Sequence, residues 1–320
     1  ELRNRPTDDV LSALDKWIAG LDPKDEQIEH HMLEALWVHQ HHNAINEHLL
    51  RRMLQSPDAR ARAAATRVLC YWRDQISDAL ALLERQAGDA DPRVRLEAVR
   101  AASFFREPEA ARVVVEALLH PQDDYLKYTL KETIRTQSAF GNNASALVEL
   151  LNSGRLPADR MAFVVKMVCE RGDAKDLAGI YRAVVTSDLL PAEAQHTALL
   201  GLREAALVRK VRPDVDPSEL RDLIQEERKH DSSAMLIAAI ELSGAWKVAA
   251  AGDELAQIAV DPKTKDSIRR IALEALVTID PPLAHDTVIQ LTSANRPENV
   301  RYLAAAILTQ LDIDQAAERA

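Results

Sequence analysis

The sequence contains few of the residues that build catalytic loops, disulfide frameworks or membrane spans. Its 320 residues include nine glycines and two cysteines, and aromatic residues make up 4%. Because the glycines are isolated from one another, no glycine-rich loop is present to bind a phosphate group. No run of about 18 apolar residues occurs either, so we expect no membrane span. The cysteines, Cys70 and Cys169, lie in separate apolar segments, and we expect both to be buried free thiols.

Positively charged residues are outnumbered by negatively charged ones. The chain has 40 Lys and Arg residues against 50 Asp and Glu residues, which gives a formal net charge of −10. A nucleic-acid groove needs a concentrated basic face, since much of its affinity comes from the release of counterions. The sequence therefore predicts no nucleic-acid partner.

Motifs that mark common enzymes and cofactor sites are missing as well. The sequence has no His-Glu-x-x-His zinc motif, no Gly-x-Ser-x-Gly turn and no Cys-x-x-Cys-His haem attachment motif. Acidic pairs such as Asp123-Asp124 and Glu226-Glu227 lie where we expect helices to end, and solvent satisfies their charge. We therefore expect no catalytic residue, no cofactor-binding residue and no bound cofactor in this chain.

One short pattern recurs along the chain: an apolar residue, then arginine, then an alanine three residues later. Each copy follows a turn that contains proline. The first two copies are 33 residues apart and the last two are 32 apart, a period typical of stacked helical repeats. The copies are Ala61-Arg62…Ala65, Val94-Arg95…Ala98, Ile268-Arg269…Ala272 and Val300-Arg301…Ala304.

The apolar spacing around each copy is that of an amphipathic helix. Ala61, Ala64, Ala65, Val68, Leu69 and Trp72 follow the i, i+3, i+4, i+7, i+8, i+11 template, and residues 268–279 and 300–311 repeat it. Second helices, such as one over residues 110–118, lie between these. We therefore predict an all-α fold, an α-α superhelix of eight to nine antiparallel helix pairs without strands. It forms one solenoid domain over residues 1–320, in which neighbouring repeats bury each other's apolar faces.

The segment Asp91-Pro92-Arg93-Val94-Arg95 resembles a HEAT repeat, and the other three copies share this likeness. From about Gln122 to Lys247 the arginine pattern is lost, while the helical periodicity remains. The resemblance implies that each motif arginine bridges to an acidic residue of the next repeat. The alternative is that these arginines are solvated residues on helix flanks. The arginines in question are Arg62, Arg95, Arg269 and Arg301.

Six of the ten histidines lie between His30 and His48. On a helix that starts near residue 25, His30 and His41 have nearly the same azimuth, and Glu34 is one turn from His30. His30, Glu34 and His41 are thus the candidates for a divalent metal site. The alternative is that the histidines pack against the protein or cap the end of the helix. Since two helix-spaced pairs supply too few ligands, we expect no bound metal.

A second resemblance rests on residues 33–43, 62–74 and 91–105. This series is similar to the HEAT segment of large exported proteins of planctomycetes and their relatives, over roughly residues 30–110. In that family a propeller resembling membrane-bound dehydrogenases precedes the HEAT segment, and a c-type cytochrome domain follows it. The resemblance implies an exported or periplasmic location and partner domains within the same parent protein. Neither the propeller nor a haem motif lies in this chain, so no catalytic residue can be carried over.

Two functional interpretations remain. The first is a non-catalytic scaffold that holds neighbouring protein domains in place. The alternative is a solenoid with a binding or catalytic groove, similar to bilin lyases or to HEAT-type DNA glycosylases. A glycosylase needs a basic face with aromatic residues, and a lyase needs an apolar groove with one or two acids. Residues 314–319 resemble the start of another helix, so we also expect the chain to be a piece of a longer protein.

Overall fold

The regular structure of the chain is helical. A computed structural model describes residues 4–139, 143–185, 189–229 and 233–312, and no strand occurs within these ranges. They contain eighteen α-helices, enough for nine pairs, so the predicted all-α, HEAT-like fold is confirmed. The chain divides into two compact units, Glu1–Leu150 and Leu151–Ala320. The single solenoid over residues 1–320 stays a prediction, and the expected helix at 314–319 lies outside the described residues.

The first unit is built from nine helices in chain order. Helices α2, α4, α6 and α8 pack side by side in one layer, which we call the even layer, and α5 and α7 lie side by side in the other. The helices are α1 (Thr7–Ala19), α2 (Ile28–His41), α3 (Glu47–Met53), α4 (Ala59–Trp72), α5 (Ala79–Ala87), α6 (Pro92–Ala102), α7 (Ala111–Leu118), α8 (Asp124–Ser138) and α9 (Asn143–Asn152).

The second unit repeats this two-layer arrangement. Helices α10, α12, α14, α16 and α18 pack in one layer, and α11, α13, α15 and α17 pack in the other. A five-residue π-helix, Ala205–Arg209, continues directly from α12. The helices are α10 (Ala158–Arg171), α11 (Ala174–Val185), α12 (Ala192–Glu204), α13 (Glu219–Lys229), α14 (Ser233–Trp246), α15 (Gly252–Val260), α16 (Asp266–Ile279), α17 (Pro281–Leu291) and α18 (Glu298–Leu311).

The turn residues that precede the repeat motif act as helix caps. Asp58 accepts a hydrogen bond from the backbone N–H of Arg60, and Asp91 does the same for Arg93. Pro92 occupies the first turn of α6, where its missing N–H costs nothing and its fixed φ angle suits a helix. An aspartate at this position satisfies one of the free N–H groups at the helix start. The sequence pattern thus sets where these helices begin.

Small residues form the contact between neighbouring helices of a layer. In the even layer Ala65 of α4 and Ala98 of α6 are fully buried, and so are the larger Val94 and Leu69 beside them. Short side chains let two helix backbones approach closely, so the larger side chains interlock around them. The apolar positions at i, i+4, i+7 and i+8 of α4 and α18 are buried as predicted, while Ala64 and Leu303, at i+3, are half-buried.

No helix in the described ranges has both the length and the apolar character that are needed to cross a bilayer.

Two helices of the second unit approach each other closely at Gly201 of α12. A Cβ atom there would lie 2.6 Å from Cβ of Cys169 in α10. We therefore predict that Gly201→Ala lowers the free energy of unfolding, because overpacking costs about 1–3 kcal/mol. This loss exceeds the gain of about 1 kcal/mol that alanine brings to a helix. Urea denaturation measures the difference, and an unchanged or increased stability would contradict this account of the packing.

Candidate interaction surface

Two of the four motif arginines connect consecutive helix pairs. Arg62 of α4 donates from Nε and Nη2 to both carboxylate oxygens of Asp89, at 2.7 and 2.8 Å, and from Nη1 to the carbonyl of Ser56. Asp89 lies in the loop between α5 and α6, so this bidentate pair bridges adjacent repeats. Burial, the largest single influence, disfavours the ionised form of Asp89. The hydrogen bonds from Arg62 and from the N–H of Asp91, together with the charges of Arg62 and Arg95, outweigh it and hold the pKa of Asp89 below its ordinary value.

Arg95 of α6 connects two loops through hydrogen bonds to backbone carbonyls. Its Nη1 donates to the carbonyls of Asp89 and Ala90, and its Nη2 donates to the carbonyl of Pro121, at 2.6 Å. The guanidinium is almost fully buried. A buried cation whose donors are occupied by loop carbonyls fixes the positions of those loops. These hydrogen bonds of Arg95 join two loops through carbonyls, and the acidic bridge implied by the HEAT resemblance stays a prediction at this position.

The other two motif arginines differ from these. Arg269 of α16 donates to the carbonyls of Ala259, Asp261 and Thr264, in and beside the loop that precedes its own helix, so its hydrogen bonds lock that loop. Arg301 of α18 is exposed, and its guanidinium makes no hydrogen bond or ion pair within the described ranges. A partner from a following repeat would lie outside those ranges, so a bridge at Arg301 stays a prediction.

Where the motif is lost, other arginines link the helix pairs. Arg228 of α13 donates to Glu254 and Asp261, each at 2.8 Å. Arg209, at the end of the π-helix, donates to the carbonyls of Cys169 and Gly172. Neither arginine follows the apolar-Arg spacing, so the motif search did not find them. The bridging interaction is retained in this region, although its sequence position has moved.

The three candidate metal ligands do not converge. His30 and Glu34 form an exposed pair, with 3.7 Å between Nε2 and Oε1. His41 is the last residue of α2, and eleven residues of helical rise place it about 16 Å from His30. The same azimuth therefore does not bring the side chains together. Within the described part of the chain, no three His, Cys, Asp or Glu side chains are arranged to hold a metal ion.

A different histidine of this segment organises the turn after α2. Buried His39 lies 3.0 Å through Nδ1 from the carbonyl of Ala44, and 3.1 Å through Nε2 from Nδ2 of Asn46. Asn46 uses its oxygen to accept from the N–H of Leu49 and cap α3, so its nitrogen must donate to His39. In this arrangement Nδ1 of His39 donates to the carbonyl of Ala44, and Nε2 accepts from Asn46. This is a structural role, which fits the packing and capping alternative.

The exposed side of the even layer in the first unit carries several exposed aromatic and arginine side chains. Tyr71, Phe104, Tyr125 and Tyr128 are 61%, 51%, 78% and 68% exposed. Tyr71 is one helical turn beyond Arg67 on α4, and Phe104 is four residues beyond Arg100 of α6. We call this set the aromatic–arginine face; it consists of Arg67, Tyr71, Arg100, Phe104, Tyr125 and Tyr128. The first four lie toward the C-terminal ends of α4 and α6, whereas Tyr125 and Tyr128 lie in the first turns of α8, toward the other end of the layer.

One carboxylate holds the two arginines of this face. Glu97 of α6, with 8% of its side chain exposed, accepts from Nε of Arg67 at 3.1 Å and from Nε of Arg100 at 3.0 Å. The hydrogen bond to Glu97 raises the pKa of Arg67 above its ordinary value. Two cations thus share one anion, which leaves a local positive charge. The arrangement also orients both guanidinium groups across the α4–α6 contact.

Sequence analysis did not single out this face. A signal was present, because Arg67 and Arg100, and likewise Tyr71 and Phe104, occupy equivalent positions 33 residues apart. In addition, α4 contains three arginines and no acidic residue. The negative net charge of the whole chain concealed this local excess of positive charge. Exposure and neighbouring helices have to be known before such residues can be recognised as one surface.

A cleft of about 910 Å³ adjoins the face at the ends of α4 and α6. Arg73 lies over the ring of Phe104, 5.3 Å from its centroid, and donates to the carbonyl of Cys70. This cation–π contact and the hydrogen bond hold the guanidinium at the edge of the cleft. Asp78, Arg106 and Arg112 also line the cleft, so its walls carry both signs of charge.

The second unit has a separate groove beside the π-helix. It has a volume of about 530 Å³ and lies along α10 and α12, with Leu200 and Val208 as exposed apolar residues and Glu170 and Glu204 as acids. Single π-turns are frequent at functional sites. Burial raises the pKa of the Cys169 thiol to about 12, so this group is protonated at neutral pH and is no nucleophile.

Comparisons with known proteins identify the repeat class. Residues 46–135 match the family described as HEAT repeats. The chain is similar to Kap121p in its crystal structure bound to Pho4p, with a TM-score of 0.51 and 14% identity over 93% of this chain and 38% of Kap121p. The chain therefore spans less than half the length of that protein, and the likeness shows the fold alone. No curated protein sequence matches the chain.

Two further solved structures share only weaker likeness. One is the complex of CpcE and CpcF, a phycocyanin lyase from Nostoc sp. PCC7120, with 20% identity, a TM-score of 0.28 and coverage of 86% of this chain and 92% of that chain. The other is human deoxyhypusine hydroxylase, with 16% identity, a TM-score of 0.33 and coverage of 96% and 97%. These scores carry no argument about function. What the comparisons support is a HEAT-like, all-α fold, with a match to HEAT repeats over residues 46–135.

The bidentate pair gives a prediction for stability in acid. Replacing Arg62 with Gln leaves the largely buried Asp89 without its partner, which we expect to cost about 1–3 kcal/mol at neutral pH. Because the pKa of Asp89 is lowered in the folded state, the pair stabilises above the ordinary carboxyl pKa of about 4. This contribution is lost as the pH falls through the folded value.

The matched control is Arg60→Gln, since Arg60 pairs with Asp58 in solvent and should contribute less than about 0.5 kcal/mol. Urea denaturation at pH 7 and at pH 3 measures both variants. A cost for Arg62→Gln that is equal at the two pH values, or no larger than that of Arg60→Gln, would show that the pair does not join the repeats.

Proposed function

We propose that this chain is a HEAT-repeat scaffold that binds protein partners and catalyses no reaction itself. The observation that carries the proposal is the aromatic–arginine face, where the exposed rings of Tyr71 and Phe104 lie beside two oriented arginines on neighbouring helices. The exposed rings of Tyr125 and Tyr128 lie further along the same side of the layer. Soluble proteins rarely expose contiguous apolar surface without a function. Tyrosine, phenylalanine and arginine are also the residues enriched where proteins bind one another.

The stacked helices explain why such a face suits a scaffold. Its six residues lie on α4 and α8 and on or just after α6, and buried alanines of α4 and α6 allow these two helices to pack closely. Arg62 and Arg95 lock the loops that join these helices. The backbone positions of these side chains are therefore set before a partner binds. Binding then costs less free energy, because fewer groups have to be ordered.

For the wider context, we propose that the chain is part of a larger exported protein that contains haem-binding or dehydrogenase-like domains. The support is the resemblance over roughly residues 30–110 to the HEAT segment of such proteins. In this proposal the partners are the flanking domains, and the scaffold holds an electron donor and an acceptor at a fixed separation. The location is exported or periplasmic, and cofactors are bound by the other domains, not by this chain.

The second candidate is a solenoid with a catalytic or ligand-binding groove. The groove beside the π-helix favours it, because it combines apolar Leu200 and Val208 with the acids Glu170 and Glu204. This is the combination that a lyase acting on an apolar ligand needs. The protonated Cys169 supplies no thiolate, so such a lyase would have to use the acids.

The proposal is tested by cross-linking at the face. We predict that p-benzoylphenylalanine at Tyr128 forms adducts, on irradiation in an extract of the source organism, that protease digests and nuclease does not. The matched control is the same residue at Tyr302 of α18, an exposed tyrosine without neighbouring exposed aromatic residues. Adducts that nuclease digests, or equal adducts at both positions, would contradict a protein-binding face on the first unit.

The non-catalytic part and the parent context have their own checks. The isolated chain should be inactive in assays of sugar oxidation, base excision and bilin transfer, and should show no haem absorbance. Activity in any of these assays would favour the groove over the scaffold.

In the reading frame that encodes the chain, we predict a Cys-x-x-Cys-His motif after Ala320. A complete frame without this motif would contradict the haem-containing parent.

A further inference from the structure

The aromatic–arginine face has a specific chemistry that the scaffold role alone does not define. Resting on the proposed function, we infer that this face binds an extended, acidic segment of a partner protein. One partner carboxylate is held by the guanidinium of Arg100, and adjacent apolar side chains pack on Tyr71 and Phe104. Three features support this inference: arginine donors that bind no described residue, the exposed aromatic rings beside them, and the local charge.

Both arginines keep N–H donors that bind no described residue. Arg100 uses only Nε to bind Glu97, so Nη1 and Nη2 make no hydrogen bond to any described residue. Arg67 uses Nε and Nη2, which leaves its Nη1 available. Both side chains are partly exposed. Since Glu97 fixes one edge of each guanidinium, the free edge of Arg100 is oriented before a ligand arrives. Such an edge matches the two oxygens of a carboxylate.

Exposed aromatic rings lie beside these donors. Tyr71 is four residues after Arg67, and Phe104 is four residues after Arg100, so each arginine has an exposed ring one turn away. The hydroxyl of Tyr71 makes no hydrogen bond within the described ranges. A ligand that fits must therefore carry an anionic group and apolar groups a few ångströms apart. Aspartate or glutamate next to a leucine, phenylalanine or proline in an extended chain has this spacing.

The charge of the residues around this face favours a peptide over a nucleic acid as the ligand. Glu97 neutralises one of the two arginines, and Asp123 and Asp124 lie at the start of α8 near Tyr125. A nucleic-acid strand binds through many phosphate contacts along a continuous basic surface. Acidic residues interrupt such a surface here, and the whole chain carries a net charge of −10. A peptide with one or two carboxylates needs only the oriented guanidinium groups.

The experiment is a selection of binding peptides with the purified chain. A phage-displayed library of random 12-residue peptides is selected on the wild-type protein, and the enriched sequences are compared with the unselected library. We expect enrichment of Asp or Glu within two positions of Leu, Phe or Pro. Enrichment of basic sequences, or no enrichment at all, would overturn the inference. A fluorescein-labelled 12-nucleotide oligothymidine is tested in parallel, and binding tighter than that of the best peptide would also overturn it.

Variants locate the interaction on the face. For the most enriched peptide, measured by fluorescence anisotropy, we expect Arg100→Gln to weaken binding about tenfold or more, since it removes both free donors. Arg100→Lys keeps the charge without the planar fork and should lose most of that affinity as well. The matched control is Arg85→Gln, because Arg85 is an exposed arginine of α5 in the other layer. Equal affinity of the Arg100 and Arg85 variants would overturn the inference.

Two further measurements distinguish a loss of peptide binding from a loss of folding. Unfolding curves for each variant show whether loss of the Glu97 contact has disturbed the fold, and Tyr71→Ala tests the face without touching that contact. Tyr71→Ala should weaken peptide binding and leave stability nearly unchanged. If the selection fails while Tyr128 still cross-links to protein, the acidic-segment inference is wrong and the scaffold proposal stands. If both fail, the scaffold proposal is wrong as well.

Discussion

The close packing of neighbouring helices through small residues is the constraint on which the rest of this structure depends. Buried Ala65 and Ala98 set the distance between α4 and α6, and Gly201 allows α12 to approach Cys169 of α10. A larger residue at these points would separate the helices and disrupt the side chains that interlock around them. The loops are then fixed by hydrogen bonds from Arg62 and from the buried Arg95, which hold the turns between consecutive helices.

The same packing turns separate residues into a surface. Arg67 on α4 and Arg100 on α6 can share Glu97 only because their helices lie in contact. A shared carboxylate leaves each guanidinium with donors that point to solvent, and the rings of Tyr71 and Phe104 follow one turn later. Local charge therefore departs from the net charge of −10 for the whole chain. Composition describes the average surface, whereas binding depends on a few side chains that adjacent helices bring together.

Much of the fold, but little of the surface, could be predicted from the sequence. Burial of Ala61, Val68 and Leu69 follows from helical spacing, and Asp58 and Asp91 cap their helices because the local backbone alone determines that geometry. The partners of Arg95 depend on loop conformations that no local pattern specifies. The π-helix at Ala205–Arg209 has no period of its own to detect. The aromatic–arginine face required knowledge of which helices are neighbours, so it could not be read from spacing.

The central claim is that a protein partner binds the exposed side of the even layer in the first unit. Hydrogen–deuterium exchange of the chain, alone and in complex with the partner captured through Tyr128, tests it most directly. The account predicts slower exchange in the C-terminal turn of α4, in the segment after α6 that carries Phe104, and in the first turn of α8. Slower exchange confined to α5 and α7, or to the groove along α10 and α12, would contradict it.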